Sequence, residues 1–386
     1  MGKNKIKKNG ILLSGFSIGD NNRGSAALGY GSISFLKEIG CVDKSDKFYM
    51  ISVLNKKIWK NRHTKSVEHL KIGKDLIKIK LVRCFRFEMK IYIKTGFSIP
   101  FTPLWKLIRC LKITAATNGG DGFSDIYTNQ MFYNRLYESF IAMKQKAELI
   151  IMPQTIGPFK SPKIQAIAHK ILLYANKIYV RDDKYETELK SLGVKYEKTK
   201  DLSAFMLPEP FDIDIRPKAI GINVSGLAYC NAFGSLAGQF DIYPELINKL
   251  ITFFQEKGCP IYLIPHSYNY SHPEENNDDI YACKAAYNEL KNKENVFLID
   301  RDLKSPQIKY VISKMNFFIG TRMHANFAAI YTNVPVFGLA YSYKFSGAFV
   351  ANGLSDKQTY MINNMKRSQI SELINTINNF YILSTQ

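Results

Sequence analysis

From about residue 11 onward, short apolar runs alternate with longer amphipathic ones, and that alternation restricts the chain to parallel sheets flanked by helices. In the first half the pattern predicts strands over 11–16, 48–53, 113–117, 149–153 and 177–180, with helices over 24–39, 131–146 and 161–175. In the second half it predicts strands over 219–224, 260–265, 296–298, 317–319 and 336–339. Helices are expected there over 242–257, 280–291, 305–314, 323–331 and 368–380. Between the halves, segment 207–217 carries Pro208, Pro210 and Pro217 and no periodicity, so it reads as a linker. A chain of 386 residues, 46% of them hydrophobic, can fill two cores. The expected fold is α/β: two tandem Rossmann-like doubly wound domains facing a cleft, spanning 1–206 and 218–365, closed by a helix over 366–386. Ligands of such sheets lie at the carboxyl ends of the strands, where the strand order reverses.

Other classes are disfavoured. No run of about 18 consecutive apolar residues occurs, as a membrane-spanning helix needs. The basic N-terminus leads into a short apolar run that turns polar at Asp20 without a small-residue cleavage site, so a first buried strand and a cytoplasmic location are expected. The six cysteines are isolated, with no CxxC pair and no metal-ligand spacing. The formal charge is +20, and between Asn55 and Lys112 there are 16 Lys or Arg against Glu68, Asp75 and Glu88. Such a half is either a solvated basic surface or one that attracts nucleic acid, an anionic membrane or an acidic substrate. No zinc-finger spacing, RNP motif or helix-turn-helix signal favours nucleic acid. Peripheral contact at the inner face of the cell membrane is compatible with the charge.

The sharpest local signal is the strand-to-helix turn Gly320-Thr-Arg-Met-His324. A helix N-terminus presents unpaired N–H groups, Arg322 a planar fork for carboxylate or phosphate, and His324 a proton near neutral pH. Such a turn can hold a small anion and protonate it. The alternative is that Arg322 pairs with an acid and His324 caps the helix. The next strand ends before Tyr341 and Lys344, on the same sheet edge. In the first half, the turn around Asn118, Gly119, Gly120 and Asp121 lets backbone approach a ligand, with Asp121 or Asp125 available for sugar hydroxyls, or it is a plain turn. Gln154, Arg181 and His266 each stand at a strand end, Arg181 with Asp182 as a ready structural partner. The polar tract after His266, through Asp278 and Asp279, reads as a loop.

Taken in order, Gly19-Asp20, Gly119-Gly120-Asp121, Gln154-Thr-Ile-Gly-Pro-Phe159, Val180-Arg-Asp182, Asp201-Leu-Ser-Ala-Phe205, Pro265-His266, Arg322-Met-His324, Pro335 and Tyr341-Ser-Tyr-Lys344 resemble the polysaccharide pyruvyl transferase family over roughly residues 10 to 350. Two departures are present: Asp121 replaces a third glycine, and the segment after Asp201 is one residue longer than the family's pattern. The resemblance implies a fold like B-type glycosyltransferases, phosphoenolpyruvate as donor, and a product in which pyruvate forms a ketal on a sugar of a surface polysaccharide precursor. It implies donor contact by Arg322 and His324; the phosphate and carboxylate of such a donor then call for Arg322, Lys344 and Arg181 as cations and His324 as the acid, with Gly320 and Tyr341 beside the donor. Asp20, Asn118, Asp121, Gln154 and His266 are then expected on the acceptor, which can be a lipid-linked oligosaccharide. No cofactor, metal or nucleic acid is implied. The rival expectations are a nucleotide-sugar-dependent glycosyltransferase of the same fold and a non-catalytic binder of anionic lipid or nucleic acid.

Overall fold

The computed structural model describes residues 8–61, 65–342 and 344–385; the side chains of Ile58, Trp59 and Lys344 lie outside that description. The chain divides into two compact units: the residues up to Ile18 with Leu28–Phe205, and Gly19–Ala27 with Met206–Gln386.

The N-terminal unit is built on strands β1 (Gly10–Ser14), β2 (Lys47–Val53), β3 (Val67–Ile72), β4 (Asp75–Cys84), β5 (Leu111–Ala116), β6 (Glu148–Gln154), β7 (Lys177–Val180) and β8 (Glu197–Lys198). They form one sheet in the order β3-β4-β2-β1-β5-β6-β7-β8, parallel except for the β3–β4 hairpin. The order reverses between β1 and β5, whose carboxyl ends meet at Ser14 and Ala116. Ile11, Leu12 and Leu13 are fully buried, as a central strand covered on both faces requires.

The expected strands and helices over 11–53 and 113–180 all form, within a few residues of their predicted ends, with one division. In place of one helix over 131–146 there are two, Asn129–Asn134 and Tyr137–Gln145. At the break the carbonyl of Arg135 accepts Nδ2 of Asn118 at 2.6 Å. The sequence pattern also passed over the hairpin and the helices Arg86–Thr95 and Pro103–Cys110. In β4 lysines alternate with Ile77, Ile79 and Leu81, an amphipathic strand masked by its charge.

The C-terminal unit contains β9 (Ile220–Asn223), β10 (Ile261–Leu263), β11 (Val296–Leu298), β12 (Phe317–Gly320), β13 (Val336–Ala340) and β14 (Thr359–Met361). Its sheet is wholly parallel, in the order β11-β10-β9-β12-β13-β14, and reverses between β9 and β12. One face packs on Leu250, Phe254 and Ile374, the other on Ile308, Val311 and Ala325. Segment 207–217 is irregular and lays Phe211, Ile213 and Ile215 against the second of these cores.

Candidate functional site

In the C-terminal unit the carboxyl edge is organised by two fully buried side chains. Asn223, at the end of β9, accepts the amide of Arg322 through Oδ1 at 2.8 Å and donates Nδ2 to the Ile264 carbonyl at 2.9 Å. It therefore ties β9, β10 and the turn after β12 together at the reversal point. Asp279 begins the helix Asp279–Glu289. Its Oδ1 accepts Gly226 N at 2.9 Å and Arg322 Nε and Nη2 at 3.0 and 2.7 Å. Its Oδ2 accepts the backbone amides of His266 and Ser267 at 3.0 and 2.9 Å. The stretch through Asp278 and Asp279, expected as a loop, is thus a capped helix start. Asp278 Oδ1 accepts the amide of Ile280, and both carboxylates are buried.

Arg322 carries the acid pairing that its sequence left open. Besides Asp279, its Nη2 donates to the Asn277 carbonyl and Oδ1 at 2.8 and 2.9 Å. Burial opposes its charge, but Asp279 and Tyr341 outweigh that and hold the guanidinium pKa above its ordinary value. The Nε–Nη2 edge is committed to these partners. Gly320 is required just before it: a Cβ there would lie 2.2 Å from Asn326 Oδ1, and Asn326 donates to the Gly320 and Arg322 carbonyls. Thr321 is buried with its hydroxyl 2.7 Å from that of Tyr243.

His324 lies in the first turn of the helix Met323–Ile330, edge-on to Phe327 with ring centroids 5.6 Å apart. Its ring presses on Gly24, where a Cβ would come 2.5 Å from Nδ1. Gly24 is held by its neighbour Arg23, which belongs with it to the C-terminal unit. Arg23 donates Nε to the Leu303 carbonyl at 2.8 Å, pairs with Asp302 at 3.0 Å and lies 4.4 Å over the Tyr268 ring. The Arg23 amide donates to the His266 carbonyl at 3.2 Å. Desolvation first, and then the neighbouring His324, Arg322 and Arg23, push the His266 pKa well below the usual 6.5. His266 is therefore a neutral imidazole at neutral pH. Tyr341 follows β13, edge-on to Phe240 and Phe345. The predicted cation Lys344 opens the helix Lys344–Ala351, and its side chain lies outside the described residues.

The N-terminal unit brings Asn118, Asp121, Gln154 and Arg181 to its own carboxyl edge. Asn118, Gly119 and Gly120 all have positive φ, at 53°, 76° and 86°. Only Gly and Asn adopt that region at little cost. Asn118 and Gln154 are fully buried, and each leaves a carbonyl oxygen, Oδ1 and Oε1, with no partner. Buried Nη1 of Arg135 is likewise unpartnered, while its guanidinium lies 5.0 Å from the Tyr127 ring centre. These three buried atoms, on neighbouring segments, are left for water or for polar ligand atoms. Asp121 accepts the Tyr127 hydroxyl at 3.0 Å; burial and Asp121 push that hydroxyl up to about 12. Arg181 pairs with buried Asp201 at 2.6 Å and donates Nε to Thr155 at 3.2 Å. Its acid partner is thus chiefly Asp201, with Asp182 at 3.6 Å.

The predicted residues accordingly fall into two groups. Asp20, His266, Gly320, Arg322, His324 and Tyr341 belong to the C-terminal unit, and Asn118, Asp121, Gln154 and Arg181 to the N-terminal one. Sequence reading missed Asn223, Asp279 and Arg135. For Asp279 a signal existed: Asp278 precedes an apolar-periodic run as a helix cap does. Arg135 had none, because its place depends on the helix break.

A sequence model of the family described as polysaccharide pyruvyl transferase matches residues 22–343. No curated protein sequence matches the chain. Among solved structures, the UDP-GlcNAc 2-epimerase of Neisseria meningitidis bound to UDP-GlcNAc is 10% identical, with a TM-score of 0.55 over 97% of this chain and 93% of its own. A putative UDP-N-acetylglucosamine 2-epimerase from Listeria monocytogenes, 11% identical, gives 0.55 over 98% and 91%. The UDP-GlcNAc 2-epimerase of Methanocaldococcus jannaschii, 10% identical, gives 0.54 over 96% and 91%. These likenesses show a fold of two Rossmann-like domains.

Proposed function

The chain belongs to the polysaccharide pyruvyl transferase family, a family of transferases acting on polysaccharide, and from that premise we propose that it transfers pyruvate from phosphoenolpyruvate to a sugar of a surface polysaccharide precursor, forming a ketal. The observation that carries the reading is the group His324, Arg322 and His266 at the carboxyl edge where the second sheet reverses.

In this reading His324 protonates the methylene carbon of the donor, which makes C2 electrophilic. A sugar hydroxyl adds to C2, phosphate leaves with the C2–O bond electrons, and a second hydroxyl closes the ketal. Of the two hydroxyl protons released, one replaces the proton given by His324 and one leaves on phosphate. Because Asp279 and Tyr341 both engage Arg322, its guanidinium would act on the donor chiefly through its charge, with the helix N-terminus adding attraction. Neutral His266 beside this group would take one of these hydroxyl protons only in passing and relay it to the departing phosphate. In the N-terminal unit, the unpartnered oxygens of Asn118 and Gln154 suit donors such as sugar hydroxyls.

His324→Ala is expected to lower phosphate release from phosphoenolpyruvate by about a hundredfold to ten-thousandfold. Retention of near wild-type turnover would remove its role as acid. Binding separates the reading from a nucleotide-sugar transferase. At a hundredfold excess over its Kd, phosphoenolpyruvate should stabilise the protein by about 2.7 kcal/mol in thermal unfolding, and uridine diphosphate should not. The reverse pattern would sink the proposal.

A further inference from the structure

We propose that the helix Arg86–Thr95 and the loop after it dock the protein on an anionic lipid bilayer. Five large apolar side chains are exposed within residues 87–101: Phe87 (54%), Ile91 (40%), Phe97 (59%), Ile99 (42%) and Phe101 (77%). Elsewhere among the described residues such side chains are exposed singly or in pairs. The helix buries Met89 and Tyr92 on one side, and the 3.6-residue period then turns Phe87, Ile91 and Lys94 outward together.

The loop holds its apolar tips out by construction. Thr95 Oγ1 accepts the amide of Phe97 at 3.0 Å, and Thr102 Oγ1 donates to the Ile99 carbonyl at 2.9 Å while accepting Trp105 N at 3.2 Å. Phe101 has φ of 65°, a conformation unfavourable for a bulky residue, and yet its side chain is largely in solvent. Its ring lies 5.4 Å from that of Trp105, over which Arg109 sits at 4.4 Å.

Charge selects the occupant. Arg86, Lys90, Lys94, Lys106 and Arg109 are exposed around these tips. From Leu76 to Gly120 the sequence has nine Lys or Arg and one acid, Glu88, whose carboxylate is turned to the Phe85 amide at 2.9 Å. A second copy of this surface would repel it. Apolar and aromatic tips ringed by cations match the acyl boundary and phosphates of an anionic leaflet. Among the described residues no helix is long and apolar enough to cross a membrane, so this attachment is interfacial.

The proposal is read by binding alone and stands apart from the pyruvyl-transfer reading. The full chain should co-sediment with phosphatidylcholine vesicles containing phosphatidylglycerol, weakly with phosphatidylcholine alone, and less as salt is raised. Phe97→Ser combined with Phe101→Ser should weaken binding at least about tenfold. Lys90→Glu combined with Lys94→Glu should weaken it about fivefold or more for each cation reversed. Leu173→Ser, at an exposed apolar position outside the patch, should leave it unchanged. Thermal unfolding confirms that each variant folds; if the double Phe variant does not, the lysine pair decides. Failure of the wild type to bind phosphatidylglycerol vesicles overturns the proposal, as does equal loss in Leu173→Ser. So does binding of single-stranded RNA, or self-association through the same residues, in the absence of vesicle binding.

Discussion

Asp279 is fully buried and accepts from Arg322, Gly226, His266, Ser267 and Asn223, so one carboxylate fixes five residues around the reversal of the second sheet. Removing one partner of such a pair leaves the other charge uncompensated in a dry environment. Asp279→Asn keeps the shape and removes the charge; urea unfolding should show a loss of about 3–5 kcal/mol. A loss under about 1 kcal/mol would mean that Arg322 is solvated well enough to stand alone. The turn carrying Arg322 and His324 was legible in the sequence, because both follow an apolar strand directly. The partner of Arg322 was not, since Asp279 lies 43 residues away and acquires its meaning only through burial.

At the scale of elements, the first turn of the helix Arg23–Glu38 is shaped by what it touches. Gly24 has ordinary φ, so Ala there should be tolerated by the backbone and even favour the helix. A Cβ would nonetheless meet the His324 ring at 2.5 Å. Gly24→Ala is therefore expected to cost about 1–3 kcal/mol in thermal unfolding, as overpacking does, and to lower turnover by as much as about a hundredfold through displacement of the ring. Full retention of turnover in the folded variant would show that the position of this ring does not matter to the reaction. Periodicity sufficed for this helix and for β1, β6 and β7. It failed for the hairpin β3–β4, because the lysines that form one face of β4 lower the apolar content by which a strand is recognised.

Across the whole molecule, stability should carry the signature of His266. The unfolded chain protonates it near pH 6.5, whereas the folded chain holds it neutral to well below that. Stability is then insensitive to this group above pH 6.5 and falls as pH drops below it, by up to about 1.4 kcal/mol per unit, until the folded-state pKa is reached. The hydrogen bonds of His266 to Asp279 and Arg23 are made by its backbone, so His266→Gln should keep them and flatten the slope. An unchanged slope in denaturant titrations below pH 6.5 would locate the proton uptake elsewhere. By itself the sequence determined the two parallel α/β units, the concentration of positive charge between Asn55 and Lys112, and the strand-to-helix turn ending in His324. These follow from spacings of two to four residues and from composition, which act locally along any chain. Only the tertiary structure assigned Gly19–Ala27 to the C-terminal unit, where Arg23 bonds a carbonyl 280 residues away. It also grouped His266 with His324 and left the oxygens of Asn118 and Gln154 without partners, because burial and desolvation are properties of neighbours in space that local pattern does not encode.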